Sequence, residues 1–261
     1  MKIAYAGFDL LSPALGSLLS AGCELLELFT CPVDQEYEFN CQVIQMAEKA
    51  GAPWTDKRIT AEDIRRLKAA GCQVLISAAY YYRIPAEEGL AMVNVHPSLL
   101  PEGRGAWPMP VQILRGEKTG GVTVHKLEKE FDTGDILLQR SFSIKERENL
   151  ETMTETIRRL IPGMMEELVS NFWRLYYHAA PQGKGSYYPC PQEADWTIGP
   201  ETEAFQADRI LRAFYGFPCI YEDKGRRLEL VKGSMGQPGP DSLPVRGGWV
   251  QAEEVRELPV L

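Results

Sequence analysis

The run Asn94-Val95-His96-Pro97 sets an amide two residues before an imidazole and ends both with a proline. On a strand, side chains at i and i+2 share a face, so Asn94 and His96 would stand side by side at a strand's end. An amide N–H there can stabilise a developing negative charge, and an imidazole can accept a proton near neutral pH. Only three histidines occur, His96, His125 and His178, so imidazole chemistry has few places to sit. A second polar cluster, Asp132-Thr133-Gly134-Asp135, reads as a tight turn presenting carboxylates. Each pattern alone has a plainer reading: a polar strand end with a hydrogen-bonded imidazole, and a turn aspartate bonding its own backbone. His125 closes the alternating run G-V-T-V and is read as packing rather than facing a pocket. His178 ends a long helix, where a cation suits the dipole, and is read as a cap.

The elements around these residues alternate between strand and helix. Residues 2–7 (KIAYAG) form an apolar strand, and a helix starts near Ser12 with Pro13 in its first turn. CELLELFTC at 23–31 is a second strand, and FNCQVIQMAEKAG a helix closed by Gly51. Thr60 is placed to cap AEDIRRLKAAG, with Asp63 three residues on as an approximate capping box. CQVLISAAYY and MVNVH are buried strands, and GVTVHKL and ILLQRSFSI two more, separated by the loop EKEFDTGD. Leu150 to about His178 is helical, bent or split at Pro162. This pattern predicts an α/β fold with a doubly wound, mostly parallel sheet, whose ligands bind beyond the carboxyl ends of the strands. A loop rich in Pro, Gly and Tyr from 181 to 192 marks a boundary, giving a catalytic domain over 1–190 and a small β-rich appendage over 191–261. The appendage is expected to hold a helix from Thr202 to Tyr215 and strands near 218–222, 227–232, 245–251 and 255–260.

Composition narrows the function classes. With 44% hydrophobic and 25% charged residues the chain is an ordinary globular protein. Its net charge of −8 disfavours a polyanionic partner, because phosphate binding needs clustered Lys and Arg. The opening MKIAYAGFDLL makes a poor export signal and no apolar run is long enough to span a bilayer, so a cytoplasmic protein with no membrane partner is expected. The six cysteines form no C-x-x-C pair and read as buried thiols rather than a metal site. No G-x-G-x-x-G follows the first strand, which argues against a nicotinamide cofactor.

Taken together, N-V-H-P-S-L-L-P (94–101), G-V-T-V-H (121–125) and F-D-T-G-D-I (131–136) stand in the order found in the formyltransferase family that uses N10-formyltetrahydrofolate. The chain resembles that family well over residues 1–180 and loosely beyond. The family includes enzymes acting on methionyl-tRNA, glycinamide ribonucleotide and amino sugars. The resemblance implies a Rossmann-like formyltransferase fold, formyl transfer from N10-formyltetrahydrofolate to an amine, and no metal. It assigns the catalytic set to Asn94 as oxyanion donor, His96 as general base and Asp132 as partner of the imidazole, with Asp135 as the rival carboxylate. It places the pterin pocket near the backbone of Arg83, Ile84 and Pro85, with the Asp132–Asp135 loop closing its other side. Arg83 would meet the folate's acidic tail or be a solvated surface arginine. Arg104 and Trp107 would shape the acceptor site, although Trp107 equally suits a core.

Two features bear on the acceptor. Residues 31–40, CPVDQEYEFN, are acidic where the tRNA enzyme carries a basic loop. From Asp195 onward there are 11 Asp and Glu against 8 Lys and Arg, a net of −3 where phosphate binding needs the opposite sign. A small amine is therefore expected, with a nucleotide-linked amino sugar leading. The tRNA enzyme, a formyltetrahydrofolate hydrolase and a non-catalytic folate-binding module stay open, as does a homodimer.

Overall fold

A computed structural model describes residues 1–85 and 87–259. Its centre is a seven-stranded sheet. In chain order the strands and helices are β1 (Lys2–Gly7), α1 (Pro13–Ser20), β2 (Glu24–Phe29), α2 (Cys41–Lys49), β3 (Trp54–Thr55), α3 (Ala61–Ala69), β4 (Val74–Ala78) and β5 (Ala91–His96). There follow α4 (Pro108–Arg115), β6 (Thr119–Lys126), β7 (Ile136–Ser143) and α5 (Leu150–Tyr177). The sheet order is β3-β2-β1-β4-β5-β6-β7. Strands β3, β2, β1, β4 and β5 pair in parallel, and their apolar runs suit strands covered on both faces. β6 then runs antiparallel to β5, with Asn94 opposite His125 and His96 opposite Thr123. Strand order reverses between β1 and β4, the point where open sheets of this kind form a crevice.

Alternation along β1 divides the core. Ala4 and Ala6 join Phe29, Ile64, Leu67, Leu75 and Met92 in one buried cluster, so Ile3 and Tyr5 face the other side. On α5, Met153, Ile157, Ile161, Met164, Met165 and Leu168 are all buried at helical spacing, which marks its inner face. The guanidinium of Arg158 donates to the carbonyls of Asp9 and Leu10 at 2.6 and 3.0 Å, tying that helix to the turn after β1. Pro162 lies inside α5 without breaking it. The expected bend falls instead at Asn171, with φ −131° and ψ 18°. There the Asn171 side-chain amide donates to the Glu167 carbonyl four residues back, at 3.3 Å, in place of regular backbone geometry.

Helix caps show which local signals were complete. Thr60 and Asp63 form the expected box: Thr60 Oγ1 accepts from the Asp63 N–H at 3.2 Å, and Asp63 Oδ2 accepts from the Thr60 N–H at 2.9 Å. The first turn of α2 is capped from a distance. Asn40 makes no side-chain cap, and the buried Asp9 carboxylate accepts from the N–H groups of Gln42 and Val43 at 2.9 and 3.0 Å. Asp9→Ala orphans both donors and should cost about 1–2 kcal/mol, read as a lower urea midpoint at unchanged slope.

The chain forms two compact units that are not consecutive stretches. The first comprises Met1–Ala106, Gly120–Phe142 and Thr156–Tyr187, and carries most of the sheet. The second comprises Trp107–Thr119, Ser143–Glu155 and the chain from Tyr188 onward. It adds β8 (Thr197–Ile198), α6 (Ala204–Ala213), β9 (Cys219–Asp223), β10 (Arg226–Val231), β11 (Ser234–Gly236), β12 (Leu243–Val245), β13 (Gly248–Gln251) and β14 (Glu254–Glu257). These strands make a four-stranded sheet, β14-β10-β9-β8, and a three-stranded one, β11-β13-β12, so the tail is β-rich as expected. The strand expected over 245–251 is a hairpin, turning between Val245 and Gly248. α4 corresponds to no expected element, and it holds Pro108 and Pro110. Both sit in its first turn, where no intrahelical N–H is needed. In this unit α4 packs on α6, and the Trp107 ring lies 5.6 and 5.2 Å from those of Phe214 and Phe217. Among the described residues no helix is long and apolar enough to cross a membrane.

Candidate active site

β5 carries Asn94 and His96 to the carboxyl edge of the sheet, as the i, i+2 spacing requires. The loop between β6 and β7 returns a carboxylate to them. Asp132 has φ 54°, a left-handed conformation that aspartate tolerates better than most residues. Gly134 makes the turn possible, since a Cβ there would stand 2.1 Å from the Lys126 carbonyl oxygen. Asp132 Oδ1 then lies 3.4 Å from Asn94 Nδ2, 3.6 Å from His96 Nδ1 and 3.4 Å from His125 Nε2. Its other oxygen, Oδ2, accepts from the Gly105 N–H at 2.9 Å.

His125 is the member of this cluster that the sequence reading set aside as packing. Its place follows from β6 pairing antiparallel with β5, which puts it directly across from Asn94. The signal was present in G-V-T-V-H, but only the register could convert it into a neighbour. His125 Nδ1 donates to the Lys126 carbonyl at 2.7 Å, and its Nε2 stands 3.3 Å from Asn94 Nδ2 and 3.4 Å from Asp132 Oδ1, accepting from the first when bare and donating to the second when it carries a proton. The Asn94 amide thus has its NH₂ toward two acceptors, His125 Nε2 and Asp132 Oδ1.

His96 is 4% exposed. Its Nε2 lies 2.8 Å from the Gly103 carbonyl, which can only accept, so Nε2 carries a proton. In the neutral ring Nδ1 therefore holds the lone pair, and it faces Asp132. Burial pushes the His96 pKa down, against the pull of the Asp132 charge and the Gly103 carbonyl; His125 adds to the lowering. Burial would raise the Asp132 carboxyl, but the imidazoles of His96 and His125 and the Gly105 N–H outweigh it and hold the group at about 2. The arrangement is a neutral imidazole beside a committed carboxylate. A proton arriving at Nδ1 would complete both ring N–H bonds and create an ion pair with Asp132.

The other predicted residues are placed as follows. Asp135 pairs with the Lys126 ammonium at 3.0 Å and does not reach the imidazoles. Arg83 is exposed after β4, its guanidinium 5.7 Å from the centre of the exposed Phe131 ring, in the loop that carries Asp132. Ile84 packs against the sheet core and Pro85 is half-buried. At the switch point the rings of Phe8 and Tyr81, which follow β1 and β4, lie 4.9 Å apart. Arg104 is spent on Gln182 and Gly183, and Trp107 on the ring cluster of the second unit. His178 bonds the Arg174 carbonyl at the end of α5. Of the six cysteines, Cys41 and Cys190 are exposed rather than buried. Among the described residues no group of three or more His, Cys, Asp or Glu is arranged to hold a metal. A separate cleft of about 450 Å³ in the second unit, reaching from Ile113 to Arg212 and Met235, contains none of the residues at the sheet edge.

Comparison with known proteins adds to this geometry. Residues 33–169, just over half of the chain, match the family model described as formyl transferase. A methionyl-tRNA formyltransferase of Ehrlichia ruminantium is 33% identical over 186 residues, covering 70% of this chain. The chain spans 60% of that relative's length. In fold, the chain is similar to HypX from Aquifex aeolicus in complex with tetrahydrofolic acid, at a TM-score of 0.73 and 17% identity, covering 100% of this chain and 46% of that one. It is also similar to the Helicobacter canadensis N-formyltransferase in complex with folinic acid and dTDP-3-aminofucose, at a TM-score of 0.70 and 16% identity, covering 99% of this chain and 100% of that one. The chain belongs to the formyl transferase family.

Proposed function

We propose that this protein transfers a formyl group from N10-formyltetrahydrofolate to a small amine, with Asn94, His96 and Asp132 as its catalytic set. The observation that carries the reading is the buried meeting of an amide and two imidazoles on one carboxylate, Asp132, at the carboxyl edge of the sheet. A pure binding module has no need of an imidazole whose free nitrogen faces a held carboxylate. All three residues lie within 1–190, the span proposed as the catalytic domain.

The donor supplies an electrophilic formyl carbon. The residues after β4 suit it chemically: a cation at Arg83 for an acidic tail, and the exposed rings of Tyr81 and Phe131 for a flat heterocycle. Ile84, Pro85 and the Asp135 turn are proposed to line the same pocket. Asn94 would turn an N–H from one of its long bonds, 3.3 Å to His125 or 3.4 Å to Asp132, to the oxygen that gains charge during attack. His96 would take the amine's proton at Nδ1 and hand it to folate N10 as the carbon–N10 bond breaks and tetrahydrofolate leaves, while Asp132 would stabilise the intervening cation and hold the ring.

A small acceptor is favoured by the loop at 31–40. The Asp34 carboxylate accepts from the N–H groups of Glu36, Tyr37 and Glu38 at 2.8, 2.8 and 3.0 Å, so the loop is closed on an acid and leaves an acidic lip. A nucleotide-linked amino sugar is the first candidate, in line with the dTDP-3-aminofucose bound in the Helicobacter neighbour's complex. Methionyl-tRNA is the second reading, favoured by the activity named for the Ehrlichia relative. The test is release of tetrahydrofolate from N10-formyltetrahydrofolate with a panel of nucleotide amino sugars, free amino acids and charged initiator tRNA. Turnover with one small amine supports the proposal. Turnover with tRNA alone overturns the acceptor, release without amine marks a hydrolase, and binding without release marks a binding module.

The state of His96 also predicts a pH profile. A base works only when neutral, so activity falls as pH drops through its pKa. Because burial lowers that pKa, the acid limb of kcat/KM should lie below the ordinary imidazole value of 6.5. A limb at or above that value would contradict the assignment of His96 as base.

A further inference from the structure

Asp132 holds a left-handed backbone conformation, which is unfavourable for a residue with a side chain. Something must keep it there, and the contacts of one loop residue do so. Gln182, half-buried after α5, donates from Nε2 to the carbonyls of Asp132 and Gly134, at 2.9 and 2.6 Å. Its Oε1 accepts from Arg104 Nε and Nη2 at 3.1 and 2.8 Å. The amide cannot be turned over: carbonyls only accept and a guanidinium only donates, so each end has one permitted partner. Arg104 is in turn fixed by its N–H to the Ser186 carbonyl at 3.1 Å and by Nη2 to the Gly183 carbonyl at 3.1 Å. The next residue, Gly105, is the one whose N–H grips Asp132 Oδ2. One short segment therefore holds Asp132 twice, by its carboxylate directly and by its backbone through Gln182.

We propose that Gln182 is a positioning residue that clamps the Asp132 turn and so sets the distance of the carboxylate from His96. The inference rests on the formyl-transfer reading for its consequence in rate, but not for the clamp itself. It differs from a mere tether of the 182–187 loop in one respect. A tether needs only the bond to Arg104, whereas the clamp needs the two N–H donors toward the turn.

The variants Gln182→Glu and Gln182→Ala separate these roles. Glutamate keeps the size and strengthens the pairing with Arg104, but faces two carbonyls with an oxygen. For a clamp, both variants should lose about tenfold or more in kcat, glutamate doing no better than alanine. In Gln182→Ala, which adds no charge, the acid limb should move to lower pH as the carboxylate recedes from His96. A tether predicts near wild-type kcat for Gln182→Glu, and that result overturns the proposal. Amide hydrogen exchange at Gly105, followed by NMR, reads the clamp without any turnover. Acceleration of about tenfold in both variants, with the amides of β1 and β4 unchanged, supports it even in a protein that transfers no formyl group. Unchanged exchange at Gly105 refutes the clamp whatever the activity.

Discussion

His96→Ala lowers tetrahydrofolate release by about 10²–10⁴-fold while leaving donor affinity nearly intact, if the imidazole is the base. The expectation separates chemistry from binding because His96 stands on β5, while the residues proposed to hold the folate follow β4 and line the Asp132 turn. Deleting a buried ring also orphans the Gly103 carbonyl, which costs about 1–3 kcal/mol of stability. His96→Gln removes that ambiguity. Its amide can donate to Gly103 but has no basic nitrogen, so it should recover part of the stability and none of the rate. Measurement needs single-turnover release, donor titration and urea unfolding for both variants. Wild-type release by His96→Gln would remove the imidazole from the mechanism.

Asp132→Asn is the second large effect, with kcat lower by about 10²–10⁴-fold at nearly unchanged shape. Asparagine can still accept from Gly105, but its NH₂ then points at the Asn94 amide, donor against donor. The imidazolium formed at His96 loses its counter-charge. Removing the charge that raises the His96 pKa also drives the acid limb further down in pH, whereas an upward move would refute the coupling. Stability carries its own sign. The carboxyl sits at about 2 in the folded chain against an ordinary 3.8, so its contribution of about 2 kcal/mol is complete above 3.8 and fades as pH falls toward 2. The stability gap between wild type and Asp132→Asn should therefore close in that window.

What was legible in the sequence was what neighbours along the chain decide. Thr60 and Asp63 are three residues apart and cap as read. Asn94 and His96 share a face because a strand has no alternative. The residues that were missed owe their places to long closures. His125 reaches Asn94 through strand register, and Gln182 reaches Asp132 across 50 residues of chain. The bend in α5 shows a subtler limit. Proline is the known breaker, yet Pro162 was absorbed and Asn171 bent the helix with its own amide. The two prolines of α4 sit in its first turn, where position within the helix rather than mere presence decides their effect.

The division of the chain into interleaved units bears on how this protein can diverge. α4 and the stretch at 143–155 belong to the same unit as everything from Tyr188 onward, although the first lies between β5 and β6 and the second between β7 and the rest of α5. A genetic exchange that swapped only the tail would strip α4 of α6, and Arg212 of the Glu148 carbonyl it bonds at 2.8 Å. Recombination at one crossover near residue 190 is therefore a poor route to a new acceptor. Change in this lineage is expected to proceed by point substitution and by coordinated drift of three separated segments, which would carry correlated variation although they are far apart in sequence.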